Sequence, residues 1–113
     1  DDRIYAEGRV QSMFRQGRSR RLMMLELRNK GVPADIIEEA LAALAAENYA
    51  PDRTAALRYV QRRRLGPYRL GYREEYRDRD LAALARAGFG YDTACRVIDA
   101  ETRERLEEDV LQG

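Results

Sequence analysis

The stretch KGVPADIIEEALAAL, residues 30–44, contains the end of one predicted helix and the start of the next. Lys30 places a cation in a last turn, and Gly31 is the residue type that most readily follows a helix end. Pro33 suits the first turn of a new helix. Apolar side chains then recur at helical spacing, at Ile36, Ile37, Ala40, Leu41 and Leu44. The stretch therefore predicts two amphipathic helices joined by a short turn.

Similar signals on both sides of this stretch predict six helices in all. Their first residues are caps or prolines, at Asp1, Ser19, Pro33, Asp52, Pro67 and Asp92. The fifth helix is expected to reach Ala87, either broken at Gly71 or using two faces. The sixth is expected to continue as far as Leu111. The predicted fold class is all-α.

The two halves of the sequence align with each other. The matched pairs are Val10-Gln11 with Val60-Gln61, Arg21-Leu22 with Arg69-Leu70, Lys30-Gly31-Val32 with Ala87-Gly88-Phe89, Asp35 with Asp92, and Ala40-Leu41 with Val97-Ile98. A period of about 50 residues with three helices in each copy is typical of helical repeat arrays. We predict one three-helix unit over residues 1–48. A second unit, with lengthened fifth and sixth helices, is predicted over residues 49–113.

The composition argues against catalysis. The chain has no histidine, and its one cysteine, Cys95, stands among apolar residues as expected of a buried thiol. No glycine-rich phosphate loop and no carboxylate spacing suited to a metal is present, so we expect no enzyme activity, cofactor or metal. No apolar run approaches the length of a membrane span. A single cysteine rules out an internal disulfide and fits a reducing compartment, so a cytoplasmic protein is expected. We also expect a monomer.

Basic residues cluster twice at the same point of the predicted unit. The net charge is only +1, yet 20 of the 21 basic residues are arginines. Arg15, Arg18, Arg20 and Arg21 surround the turn between the first two helices, and Arg62, Arg63, Arg64 and Arg69 surround its equivalent. Stacked repeats would bring both clusters to one side, where they could bind a nucleic-acid backbone or an acidic protein groove. The alternative is a solvated face with ion pairs inside the domain.

Three tyrosines form a second candidate surface. Tyr68, Tyr72 and Tyr76 are spaced four apart on the predicted fifth helix, beside Arg69, Arg73 and Arg77. Aromatic rings next to guanidinium groups are used to stack single-stranded nucleic acid. The alternative is that the tyrosines pack under the lengthened sixth helix.

The sequence resembles the RecX family of bacterial recombination regulators, in the form seen in alphaproteobacteria. The resemblance is carried by residues 1–2, 5–7, 18–27, 30–32 and 36–41, and in the second half by residues 62–69 and 79–89. It implies tandem three-helix repeats that lie in the groove of a RecA filament on single-stranded DNA, where they restrain ATP hydrolysis, filament growth and strand exchange. It also implies that this chain holds the second and third repeats only. The resemblance supplies no catalytic residues.

Two other functions remain open at this point. The helix-turn-helix-like units would suffice for direct binding of single-stranded nucleic acid. A helical adaptor that never meets DNA is the third interpretation.

Overall fold

The computed structural model of the chain describes residues 1–112, which form seven α-helices, one 3₁₀ turn and no strand. The predicted all-α class is confirmed, whereas the predicted number of six helices is wrong. The helices are α1 (Asp2–Arg15), α2 (Arg20–Asn29), α3 (Ala34–Glu47), α4 (Pro51–Arg63), α5 (Arg77–Arg86), α6 (Tyr91–Ile98) and α7 (Arg103–Leu111), with the 3₁₀ turn (Gly66–Tyr68) between α4 and α5.

The first three helices begin and end as their local signals predict. The Asp1 carboxylate accepts a hydrogen bond from the Arg3 N–H at 2.7 Å, and the Ser19 hydroxyl accepts one from the Leu22 N–H at 3.2 Å. Gly31 follows α2 with a φ of 81°, in the left-handed region. Each of these helix ends therefore satisfies exposed backbone groups with neighbouring residues.

The fifth helix starts ten residues later than predicted. Its expected first part is the 3₁₀ turn followed by an irregular segment, residues 69–76, which we call the connecting loop. In a continuous helix Arg69 and Asp80 would lie about 16 Å apart along the axis. Instead the Arg69 guanidinium binds the Asp80 carboxylate at 2.6 and 2.7 Å, so the chain must fold back between them.

The sixth helix is also shorter than predicted, because α6 ends at Ile98 and a separate helix begins at Arg103. The Thr102 hydroxyl caps α7 by accepting a hydrogen bond from the Arg105 N–H at 3.1 Å. Neither α5, with ten residues, nor α6, with eight, is lengthened as expected. The extra residues of the second half lie instead in the connecting loop and in α7.

Two predicted caps do not cap their own helices. Asp52 and Asp92 are the predicted caps of α4 and α6. The residues that precede these helices are instead Ala50 and Gly90, and neither makes a side-chain hydrogen bond to its helix. Asp92 lies inside the first turn of α6. The Asp52 carboxylate accepts a hydrogen bond from the Arg20 N–H at 2.8 Å, so it satisfies the start of α2, a helix distant in sequence.

One apolar core runs through both halves. It includes the predicted stripe of α3 from Ile37 to Leu44, residues of α4 and α6, and Leu106 of α7. Cys95 is half-buried, so its predicted full burial is wrong. The radius of gyration of 14.7 Å exceeds the value of about 13 Å for a compact chain of this length, as stacked units would require.

Glycines in left-handed conformation recur at matched positions. Gly17 and Gly66 follow α1 and α4, and Gly31 and Gly88 follow α2 and α5. This recurrence supports the proposed duplication, while the division at residue 48 stays a prediction. No helix within residues 1–112 is both long and apolar enough to cross a membrane.

Candidate functional site: a basic groove between the two halves

A groove of about 610 Å³ lies where the α1–α2 turn meets α4 and the end of α5. We call it the basic groove, because arginines from three segments line it and no acidic residue of the described chain does. Its lining residues are Gln16, Gly17, Arg18, Leu22, Tyr59, Arg62, Arg63, Ala83, Arg86 and Ala87. The predicted meeting of the two basic junctions is therefore present for Arg18, Arg62 and Arg63.

Close backbone contact between the halves shapes the basic groove. A Cβ atom on Gly17, whose φ is +80°, would lie 2.8 Å from the backbone nitrogen of Tyr59. The buried Ser19 hydroxyl donates a hydrogen bond to the Ala87 carbonyl at 2.7 Å. A Cβ atom on Gly88 would lie only 2.4 Å from the Ser19 oxygen. Glycine at these two turns lets the α1–α2 turn approach α4 and α5 closely enough to form one wall.

We expect Ser19→Ala to lower the free energy of unfolding by about 2 kcal/mol, because it removes a helix cap and leaves the buried Ala87 carbonyl unpaired. Urea denaturation measures this change. Thr102→Ala is the matched control, since it removes an exposed cap alone and should cost about 1 kcal/mol. Equal losses in the two variants would show that the bond to Ala87 contributes nothing.

Neighbouring groups orient the groove arginines without covering them. Arg62 donates to the Gln16 carbonyl at 3.0 Å, and the Arg63 guanidinium lies 4.8 Å from the centre of the Tyr59 ring. Arg18 binds the Glu26 carboxylate at 3.1 Å. Each guanidinium has five N–H donors, so most of them remain available to a ligand.

Glu26 is the acidic residue that binds Arg18, one of the groove arginines. Its carboxylate accepts hydrogen bonds from Arg9, one of them at 2.8 Å, as well as the bond from Arg18. The hydrogen bond from Arg9 is the main reason why the pKa of Glu26 lies below its usual value, although partial burial opposes the shift. Glu26 is thus ionised at neutral pH and neutralises part of the charge of Arg18.

The other predicted arginines of the two junctions lie outside the basic groove. Arg15, Arg20, Arg21 and Arg64 are all exposed. Arg20 borders a smaller cavity of about 380 Å³, which Leu41, Leu44 and Pro51 also line. Arg69 is bound to the buried Asp80 carboxylate and does not reach the groove. The structure therefore brings together three of the eight arginines, and it adds Arg86.

The tyrosine stripe predicted on the fifth helix does not exist as one surface. Tyr68 belongs to the 3₁₀ turn, Tyr72 lies in the connecting loop, and Tyr76 precedes α5. The Tyr68 hydroxyl donates a hydrogen bond to Glu107 of α7, and burial together with this bond raises the pKa of Tyr68 to about 12. Tyr76 lies under Arg69, with the guanidinium 4.2 Å from the ring centre. Of the three tyrosines, Tyr72 alone is exposed, and Tyr68 and Tyr76 are half-buried.

The arginines beside that stripe bind groups of the chain itself. Arg73 donates to the carbonyls of Ile98 at 2.8 Å and Glu101 at 3.1 Å, and also to that of Ala100. Arg77 forms two hydrogen bonds with the Asp99 carboxylate, at 2.7 and 2.8 Å. Together with Arg69, they hold the connecting loop and the end of α6 in place. Their predicted role beside stacked bases is not supported by these contacts.

Sequence reasoning missed Arg86 and Tyr59 as groove residues. Arg86 is the last residue of α5 and Tyr59 lies within α4, so chain folding alone places them beside Arg18. The one available signal was the cation just before Ala87-Gly88, which repeats the pattern of Lys30-Gly31. Within residues 1–112, no group of three His, Cys, Asp or Glu side chains could hold a metal ion.

Comparison with known proteins gives consistent matches. The family described as RecX, second three-helix domain, matches residues 1–41. The chain is 44% identical over 102 residues to the regulatory protein RecX of Myxococcus xanthus (strain DK1622), which covers 88% of this chain and 54% of that protein. It is 38% identical over 112 residues to the regulatory protein RecX of Agrobacterium fabrum, covering 98% of this chain and 56% of that protein.

A third relative is similar over nearly the whole chain. The regulatory protein RecX of Thermobifida fusca is 35% identical over 114 residues, covering 99% of this chain and 57% of that protein. The chain thus spans little more than half the length of each of these relatives. No solved structure matches it.

Proposed function

This chain belongs to the RecX family of regulatory proteins, and on that premise we propose that it binds a RecA filament on single-stranded DNA. Binding would restrain RecA ATP hydrolysis, filament growth and strand exchange. The observation that supports this function best is the basic groove, where Arg18, Arg62, Arg63 and Arg86 converge. A nucleoprotein filament offers DNA phosphates and acidic side chains, both of which bind guanidinium groups.

The charge arrangement favours association with an anionic assembly. A groove lined by charges of one sign concentrates the field, and it steers an oppositely charged partner more strongly than the net charge of +1 would suggest. Such steering speeds association and selects the orientation in which the partner docks. To act as the proposed regulator, the chain would need only to bind the filament.

The proposal involves no catalysis by this chain and no cofactor. The sequence contains no histidine, the commonest general base, and regulation by occupancy of a filament requires none. We further propose that the protein acts as a cytoplasmic monomer, since the RecA filament that it would regulate is cytoplasmic.

Direct binding of naked single-stranded nucleic acid is a second candidate function. The observation in its favour is that the basic groove combines arginines with one aromatic side chain, Tyr59. Guanidinium groups that track a backbone beside an aromatic ring are typical of single-strand binding. In this case the chain would bind DNA without RecA.

We expect the chain to slow ATP hydrolysis by RecA on single-stranded DNA when it is present in substoichiometric amounts, because one bound regulator blocks many protomers of a growing filament. Steady-state ATP turnover measures the effect, with a full-length RecX protein as the positive control. Unchanged turnover at a large excess of this chain, under conditions where the full-length protein inhibits, would contradict the proposal for this chain. Inhibition that disappears when DNA is saturating would favour direct competition for the strand.

A further inference from the structure

The connecting loop presents two large apolar side chains to solvent. Leu70 is 91% exposed and Tyr72 is 72% exposed, both within residues 69–76. The half-buried Tyr68 before them and Leu81 after them pack against the core, but neither Leu70 nor Tyr72 does. Folding of this chain therefore gains little from the apolar surface of either side chain.

Hydrogen bonds fix the connecting loop on both sides of Leu70 and Tyr72, at Arg69 and at Arg73. Arg69 binds the Asp80 carboxylate, which is 1% exposed and also accepts the Gly66 N–H at 2.9 Å. Arg73 donates to carbonyls at the end of α6. Leu70 and Tyr72 thus lie between two anchors four residues apart, and their positions are set before any partner arrives. A preorganised loop loses little conformational freedom on binding.

The backbone at Tyr72 is strained. Its φ of 57° lies in the left-handed region, which bulky side chains rarely adopt. The strained residue projects its ring into solvent, so burial within the chain does not compensate for the strain. Strain of this kind persists when the surroundings impose it, and it is concentrated at binding and switch sites.

The exposed charges around these two side chains disfavour a nucleic-acid strand as their partner. Arg69, Arg73 and Arg77 bind groups within the chain, and Arg77 also pairs with Asp78 at 3.6 Å. Glu74 and Glu75 are exposed, and Arg79 is the exposed cation of the same stretch. A phosphate backbone would be repelled by the carboxylates of Glu74 and Glu75, which outnumber the exposed Arg79. Leu70 offers no flat face on which a base could stack.

We propose that Leu70 and Tyr72 form an apolar hook that inserts into an apolar pocket of a protein partner, and that basic side chains surround this pocket and face Glu74 and Glu75. This inference rests on the proposed function, in which the partner is the protein component of the filament. It gives the chain two separate contacts: the basic groove binds anionic groups, and the hook binds protein. Tyrosine is among the residue types enriched at the positions that dominate interface energies, so Tyr72 carries the larger expected share of the contact.

The test compares the wild type with the variant Leu70→Ala/Tyr72→Asn. Asparagine accepts the left-handed backbone, so the variant removes the apolar surface without new strain. We expect affinity for the filament, measured by fluorescence anisotropy of the labelled chain, to fall about tenfold or more. The melting temperature and the affinity for naked single-stranded DNA should stay unchanged. Tyr49→Ala is the control, since Tyr49 is 84% exposed in the α3–α4 connection and should have no effect.

Several outcomes would contradict the proposal that Leu70 and Tyr72 form a hook. Filament affinity of the double variant equal to that of the wild type would do so, and so would an equal loss of binding to naked DNA, which would indicate a strand contact. Self-association of the wild type that the variant abolishes, with filament binding intact, would identify a second copy of the chain as the partner. A wild type that never binds the filament would overturn the proposed function, and the hook with it. A photo-crosslinking side chain at Tyr72 should label protein and not DNA.

Discussion

Replacement of Asp80 by alanine is expected to lower the free energy of unfolding by about 3 kcal/mol, the largest loss that we expect from a single ion pair in this chain. The Asp80 carboxylate is 1% exposed and accepts three hydrogen bonds, two from Arg69 and one from the Gly66 N–H. Without it the Gly66 N–H and the guanidinium lose their partner. Arg69 keeps partial access to water, with 21% of its side chain exposed, so the loss stays near the lower end for a buried pair.

Asp99→Ala is the matched control for this variant. Asp99 also binds one arginine through two hydrogen bonds, but both side chains of the Arg77–Asp99 pair are more than 40% exposed. Exposed pairs contribute between about 0 and 1 kcal/mol. Chemical denaturation of the two variants thus separates the effect of burial from that of the pair itself. Equal losses would contradict the assignment of Asp80 as the anchor of the connecting loop.

The contribution of Asp80 to the free energy of unfolding should also depend on pH, and its direction follows from the pKa shift of this carboxyl. Burial alone would raise the pKa of Asp80, but the hydrogen bonds from Arg69 and Gly66 outweigh it and leave the pKa below the usual value. A carboxyl whose pKa is lowered by folding stabilises the folded state above its unfolded pKa, about 3.9 for aspartate. This contribution is lost as the pH falls through the lowered value. The difference in unfolding free energy between the wild type and Asp80→Ala should therefore shrink below about pH 4.

The first half of the fold was predictable because its signals are local. The Asp1 and Ser19 caps, the Lys30-Gly31 helix end and the α3 stripe each involve residues within one or two turns. Even here, α2 buries Met23 and Leu27 and leaves Leu25 42% exposed, although all three side chains are apolar. Several adjacent apolar residues in one helix leave its buried face ambiguous until its neighbours are known.

The second half was predicted less well because distant contacts decide its helix ends. Pro67 and the tyrosines spaced four apart fit a helix locally, yet the bond from Arg69 to Asp80 requires a loop between them. The end of α6 is likewise determined by Arg73, which binds the carbonyls that a longer helix would have used. Thr102 was the local signal for the break, since threonine is a good helix cap.

Part of the basic groove could be predicted from the sequence, and part of it depends on distant contacts. The duplicated basic junction predicts that Arg18 lies near Arg62 and Arg63, because equivalent turns of neighbouring units lie on one side. The structure places all three in the basic groove. The sequence could not show that Arg69, Arg73 and Arg77 bind groups within the chain. That depends on the buried Asp80, the Asp99 carboxylate and the backbone carbonyls at the end of α6.

Charge reversal in the groove, with Arg62→Glu and Arg63→Glu combined, is expected to weaken filament binding about 100-fold at moderate salt. The double change removes two guanidinium groups and adds two carboxylates to a groove that otherwise lacks acidic lining residues within the described chain. If each arginine meets a DNA phosphate, the salt dependence of binding to single strands should also decrease, by about 0.7 in slope per lost contact. Anisotropy titrations across a salt series measure both quantities.

Arg64→Glu is the control for this variant, because Arg64 is the next residue along the chain and carries the same charge. It is exposed, it ends α4 in the left-handed region with a φ of 57°, and it does not line the basic groove. Its reversal should reduce binding only slightly, through the weaker field of a charge outside the groove. A loss as large as that of the double variant would show that the overall basic surface, and not the groove, determines binding.

The melting temperature of the double variant shows whether Arg62 and Arg63 bind the partner or stabilise the fold. Arg62 and Arg63 are both exposed, and their contacts within the chain are one hydrogen bond to the Gln16 carbonyl and one packing contact with the Tyr59 ring. Exposed contacts of this kind contribute about 1 kcal/mol or less each, so the melting temperature of the double variant should stay close to that of the wild type. A large drop in melting temperature with intact filament binding would reverse the assignment. The two arginines would then stabilise the junction of the halves, and a different surface would have to bind the filament.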